Sequence, residues 1–159
     1  LSNYFSFVAG SGLDGSLHTK TDVIDYILQS NKIIDLSSVV MIGDRKHDII
    51  GAKNVGIDSI GVLYGFGDYK ELSEAGADYI GAGALFATST KGDAKNISYD
   101  TLKAITEAVN IPVVAIGGIN TENAPSLKGS GIAGCAVSSG IMGSESPEKA
   151  AETFKKIEY

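Results

Sequence analysis

Two carboxylates four residues apart, Asp44 and Asp48, follow the apolar run "SVVMIG" at residues 38–43. A strand that ends at Gly43 and a helix that starts a few residues later would set both acids at one strand end. Such a pair can hold a hard cation, because Mg²⁺ takes oxygen ligands and commonly needs one or two carboxylates besides phosphate oxygens. Phosphoryl transfer to a carboxylate would also require an Asp at the end of a neighbouring strand and a Lys to hold the transferred charge. No Asp is placed as the nucleophile: Asp58 and Asp78 each precede a strand and so point to the bottom of the sheet. His18 and His47 are far apart, with no cysteine or third histidine beside them, which leaves no zinc pattern. Cys135 sits in an apolar run, as a buried and inert thiol would.

The elements that must position these groups alternate along the chain. Apolar runs at 4–10, 38–44, 58–65, 78–86, 111–119 and 133–141 read as strands. Amphipathic stretches at 19–31, 48–56, 68–76, 98–110, 121–131 and 146–159 read as helices. Thr19, Thr121 and Ser146 stand at helix starts, the last followed by Pro147, and Gly56 and Gly76 stand at helix ends. About six strands alternating with helices imply right-handed βαβ units and a parallel sheet. The expected architecture is a single α/β domain over 1–159, an open doubly wound sheet of the flavodoxin type. The alternative is a curled segment of a TIM barrel, whose free edges would favour a homodimer.

Composition agrees with a packed domain. Of 159 residues, 43% are hydrophobic and 20% charged, with 20 glycines, 3 prolines and one cysteine. A net charge of −6 argues against general nucleic-acid binding, which needs a basic face. A lone cysteine excludes a disulfide framework, and no apolar run reaches the length of a membrane span. The chain starts without a basic lead, so a cytoplasmic location is the expectation.

Residues 4 to about 80 resemble the C-terminal part of a haloacid dehalogenase-type hydrolase of the phosphoglycolate phosphatase-like branch. "AGSGLDGSLHTKTDVIDYIL" is similar to the segment that leads to that family's motif III lysine, which maps to Lys20. "MIGDRKHDIIGAKNVGIDSIGVLYGFGDYKEL" is similar to its motif IV and the following strand, with Asp44 and Asp48 matching the acidic residues of the Mg²⁺ site. In that register Asp14-Gly15-Ser16 is not the nucleophile motif, since Gly12 stands where the nucleophilic Asp would be, and the nucleophile strand would lie upstream of residue 1. The plainer role of Asp44 and Asp48 is to cap a helix and complement its dipole; the plainer role of Lys20 is an exposed first-turn lysine.

Residues 76–144 resemble the last three βα units of thiamine phosphate synthase, a TIM barrel. That resemblance implies diphosphate handling by Thr88, Ser89, Thr90 and Lys91, and a phosphate cradle made by Gly117 and Gly118 after one strand and Ser138 and Ser139 after the next. Backbone N–H groups aimed at an anion are the physical basis of such a cradle. Ala87, where many members have Pro, departs from the pattern, and the family's pyrimidine pocket and Mg²⁺ carboxylates would come from earlier strands. "EAGADYI" at 74–80 reads naturally in either family. The simplest account is therefore a recombined chain, engineered or recently spliced, with a phosphatase-like part at 1–78 and a barrel-like part at 79–159. The expectation is a folded chimera with residual phosphate or sulfate binding and no required cofactor. The alternatives are a Mg²⁺-dependent phosphatase and a thiamine phosphate synthase-type transferase that needs its other half.

Overall fold

A computed structural model describes residues 5–12, 15–87 and 96–159 of the chain. The first regular element is helix α1 (Lys20–Ser30), which opens with a reciprocal cap. The Asp22 N–H donates to Thr19 Oγ1 at 3.1 Å, and the Thr19 N–H donates to the Asp22 carboxylate at 2.8 Å. The Thr19 N–H first, and the Thr19 hydroxyl second, hold the Asp22 carboxyl below its ordinary range. A 3₁₀ turn at Leu36–Ser38 leads into strand β1 (Val40–Gly43). There follow α2 (Lys46–Val55), β2 (Asp58–Val62), α3 (Tyr69–Glu74), β3 (Tyr79–Ala82), α4 (Tyr99–Ala108), β4 (Val113–Ile116), β5 (Gly134–Ala136), α5 (Ser139–Met142) and α6 (Pro147–Lys155). Helix α2 ends at Gly56, whose φ of 84° suits a residue without a Cβ.

The five strands form one parallel sheet in the order β1-β2-β3-β4-β5. A parallel sheet alternating with helices is the expected α/β fold. A doubly wound sheet reverses its strand order at a switch point, whereas this order runs straight through, as in a segment of a barrel. The sheet is open, with β1 and β5 at its two edges.

Right-handed crossovers between sequential strands place every connecting helix on one face. Burial follows that rule. Ile80, Ala82, Val113 and Ala115 from the strands share one core with Leu72, Leu102, Ile105 and Leu127 from the crossovers. A smaller core joins Ile24 and Leu28 of α1 to Ala52 of α2 and Ile57. Side chains alternate along a strand, so the pairings Ile42 with Ile60 and Ile60 with Tyr79 align these residues on the opposite face. That face is uncovered at β1, where Val40 is 48% and Ile42 57% exposed.

Three expected elements differ. Residues 5–10 form no strand among the described residues; the segment has no neighbouring strand to complete its hydrogen bonds. The 121–131 stretch is a 3₁₀ turn at Ala124–Leu127, not an α-helix. Pro125 lies in its first turn, and Gly129 and Gly131 adopt φ of 80° and 81°, which stops propagation. Its N-cap is Asn123 and not Thr121, with no side-chain cap bond, and the loop before it is held by Asn120, whose side chain accepts from the N–H groups of Glu122 and Asn123, each at 2.9 Å. Finally, the last strand is only three residues long, and α5 takes up residues that were expected to extend it.

Candidate functional site at the strand ends

All five strands are parallel, so their C-terminal ends share one rim. At the β1 end the Asp44 carboxylate accepts the Phe66 N–H at 2.8 Å, and the Asp44 carbonyl accepts the Gly67 N–H at 2.9 Å. The loop after β2 can approach this closely because it carries glycines. A Cβ at Gly65 would overlap the Asp44 side chain, and one at Gly67 would overlap the Asp44 carbonyl. Asp48, on the first turn of α2, is 5% exposed. One of its oxygens lies 2.9 Å from Lys20 Nζ, and the other accepts the Arg45 N–H at 3.1 Å. Gly43 is required here as well, because a Cβ would overlap the Asp48 side chain.

The structure thus brings together Lys20 and Asp48, which are distant in sequence, with Asp44 at the strand end beside them. As a cation site the arrangement fits poorly. The Lys20 ammonium stands where a cation would bind Asp48, one Asp44 oxygen is engaged by a backbone N–H, and no group of three His, Cys, Asp or Glu side chains able to hold a metal occurs among the described residues. His18 and His47 are both exposed. Beside this cluster, Glu71 of α3 accepts from Arg45 Nε and from the Lys46 N–H, each at 2.9 Å. Those bonds, the Lys46 amide first and the Arg45 guanidinium second, hold the Glu71 carboxyl below its usual range. Nothing in the residue types marked this clamp between α3 and the start of α2, since surface Glu and Arg are common everywhere.

The second cluster lies at the ends of β3, β4 and β5. Ile116 pairs with Ala136, so the residues that leave β4 and β5 emerge side by side. Gly117 and Gly118 adopt φ of 97° and 65°, a region that favours glycine. They also sit against the chain leaving β3: the Phe86 N–H donates to the Gly117 carbonyl at 3.1 Å, and a Cβ on Gly118 would lie 2.6 Å from the Ala87 carbonyl oxygen. Asn123 Nδ2 donates to the Gly118 carbonyl at 2.9 Å, and the Asn123 carboxamide oxygen accepts the Asn120 N–H at 2.9 Å. This pair of asparagines fixes the turn after β4 and was not singled out in the sequence, although its Asx spacing is legible there. The backbone N–H groups of Gly117, Gly118, Ser138 and Ser139 donate to no other backbone group among the described residues. Both serines are exposed. Thr88, Ser89, Thr90 and Lys91, the expected diphosphate loop, lie outside the described residues.

The profile of the thiamine monophosphate synthase family matches residues 59–141, more than half of the chain. The chain belongs to that family. A second profile, of hydrolases of the haloacid dehalogenase type, matches residues 20–84. The two matches overlap over 59–84, which is the unit β2-α3-β3 and contains the 74–80 stretch that reads in either family. The chain thus carries both family signals, as a chimera does, and they meet in one structural unit.

Thiamine-phosphate synthase of Pyrococcus furiosus is 47% identical over 95 residues, which cover 60% of this chain and 46% of that protein. The corresponding enzyme of Ruminiclostridium cellulolyticum is 54% identical over 87 residues, 55% of this chain and 41% of that one. The chain therefore spans less than half the length of these curated relatives. In structure, thiamine phosphate pyrophosphorylase from Pyrococcus furiosus superimposes with a TM-score of 0.62 at 27% identity, over 94% of this chain and 79% of that one. Coverage of 94% extends well beyond the matched sequence, so the hydrolase-like units also lie along a barrel-type curve.

Proposed function

We propose that this recombined chain holds a phosphate or sulfate ion at Gly117, Gly118, Ser138 and Ser139, and that alone it completes neither parent's reaction. The observation that carries the reading is the set of backbone N–H groups at two adjacent strand ends that donate to no other backbone group among the described residues. Groups of this kind, held by a rigid turn, suit an anion. Thr88, Ser89, Thr90 and Lys91 share in binding the anion in this reading, as the family resemblance implies. On the hydrolase side, the Lys20–Asp48 pair supports a structural role for the inherited residues, and Asp44 joins it as the anchor of the β2 loop. A splice within one βα unit fits an engineered or recent recombination.

A phosphate titration followed by amide shifts tests the proposal. Shifts confined to Gly117, Gly118, Ser138 and Ser139 are expected, with no turnover of a generic phosphate ester in the presence of Mg²⁺. A well-dispersed spectrum without shifts would overturn the binding site. Ester turnover that Asp44→Ala abolishes would overturn the structural reading of the hydrolase residues in favour of a phosphatase.

A further inference from the structure

Residues 5–10, Phe-Ser-Phe-Val-Ala-Gly, place Phe5 and Phe7 on one side of an extended chain and Val8 on the other. Such an apolar stretch wants a sheet, yet none of its backbone groups takes part in a backbone hydrogen bond among the described residues. Phe5 is 60% and Val8 72% exposed, and Phe7 meets the Tyr26 ring of α1 with centroids 6.0 Å apart. Strand β1, for its part, forms an edge of the sheet. Its free side presents unpaired backbone, and Val40 and Ile42 are exposed on the uncovered face. A flat apolar edge of this kind templates the addition of another strand.

We propose that residues 5–10 of a second copy add to the free edge of β1 as a sixth strand, in a reciprocal exchange between two copies. Phe5 and Phe7 then lie beside Val40 and Ile42, and Val8 turns to the helix-covered face. One chain carries both the unpaired strand and the unpaired edge, so a two-fold exchange satisfies both copies with no third component.

Light scattering on the eluting full chain over a concentration series, with hydrogen exchange on the same samples, tests this. Wild type is expected at twice the chain mass, with protected amides in 5–10. Val8→Pro removes a ladder donor from a segment that carries no backbone bond among the described residues, and should weaken the dimer by about tenfold or more. Ile42→Lys, at the exposed edge, should do the same from the other side of the contact. A monomeric wild type at high concentration would overturn the proposal, as would a Val8→Pro dimer of unchanged affinity. A monomer with protected 5–10 amides would also overturn it, by showing that the segment adds to the edge of its own chain.

Discussion

Lys20 Nζ lies 2.9 Å from Asp48 Oδ1, and this contact joins the first residue of α1 to the first turn of α2. The carboxylate is buried and the lysine about half-exposed. The pair stabilises less than a fully buried one, yet removing the cation leaves a charge with little water. Lys20→Met should therefore cost about 1 to 2 kcal/mol, below the full cost of breaking a buried pair. Urea denaturation checks this, and Asp48→Asn in the Lys20→Met background should recover part of the loss.

Leu72 is fully buried and lies against Gly61 of β2, where a Cβ would come within 3.0 Å of it. The bare backbone of Gly61 lets α3 sit close on the sheet. Leu72→Ala is expected to lower stability by about 2 to 5 kcal/mol, read as a shift of the urea midpoint at constant slope.

Gly118 combines a φ of 65° with an approach to the Ala87 carbonyl that a Cβ would reduce to 2.6 Å. Gly118→Ala should destabilise by roughly 1 to 2 kcal/mol and should move the amides of Phe86 and Gly117. In the phosphate titration this variant should lose the response of the cradle while amides around Asp44 stay unchanged.

The Tyr159 hydroxyl is buried with no well-formed hydrogen bond among the described residues, and the Cys135 thiol is its one polar contact that bears on its ionisation. Burial, with the Cys135 thiol beside it, pushes its ionisation upward, and burial pushes the Cys135 thiol up too. Both groups retain their protons in the folded state at a pH where the unfolded chain loses them. Their contribution to stability is thus fully present below the ordinary values of 9.0 for Cys and 10.0 for Tyr, and is lost as pH rises beyond them. Tyr159→Phe should stabilise the fold by about 1 kcal/mol near neutral pH, because the orphaned hydroxyl disappears. Thermal melts between neutral pH and pH about 11 should fall less steeply for this variant than for wild type.

Much of this protein is local and therefore legible in the sequence. Thr19 with Asp22 caps α1, Gly56 ends α2, and the alternation of apolar runs with amphipathic stretches fixes a parallel α/β sheet. Gly117-Gly118 marks a tight turn after a strand, which the structure contains. The two-part ancestry is also written in local motifs, and the shared stretch at 74–80 lies within the overlap of the two family matches. Tertiary structure alone decided what depends on partners distant in the chain. The run at 4–10 has the residues of a strand, but a strand exists only where another edge completes its hydrogen bonds. The same reason governs strand order: no residue type states which strand lies beside which, and the sequential order emerged from how the units join. Lys20 and Asp48 read separately as an exposed lysine and a capping acid. Their pairing arose only when α1 packed on α2, because folding, not sequence spacing, sets the distance between their charges.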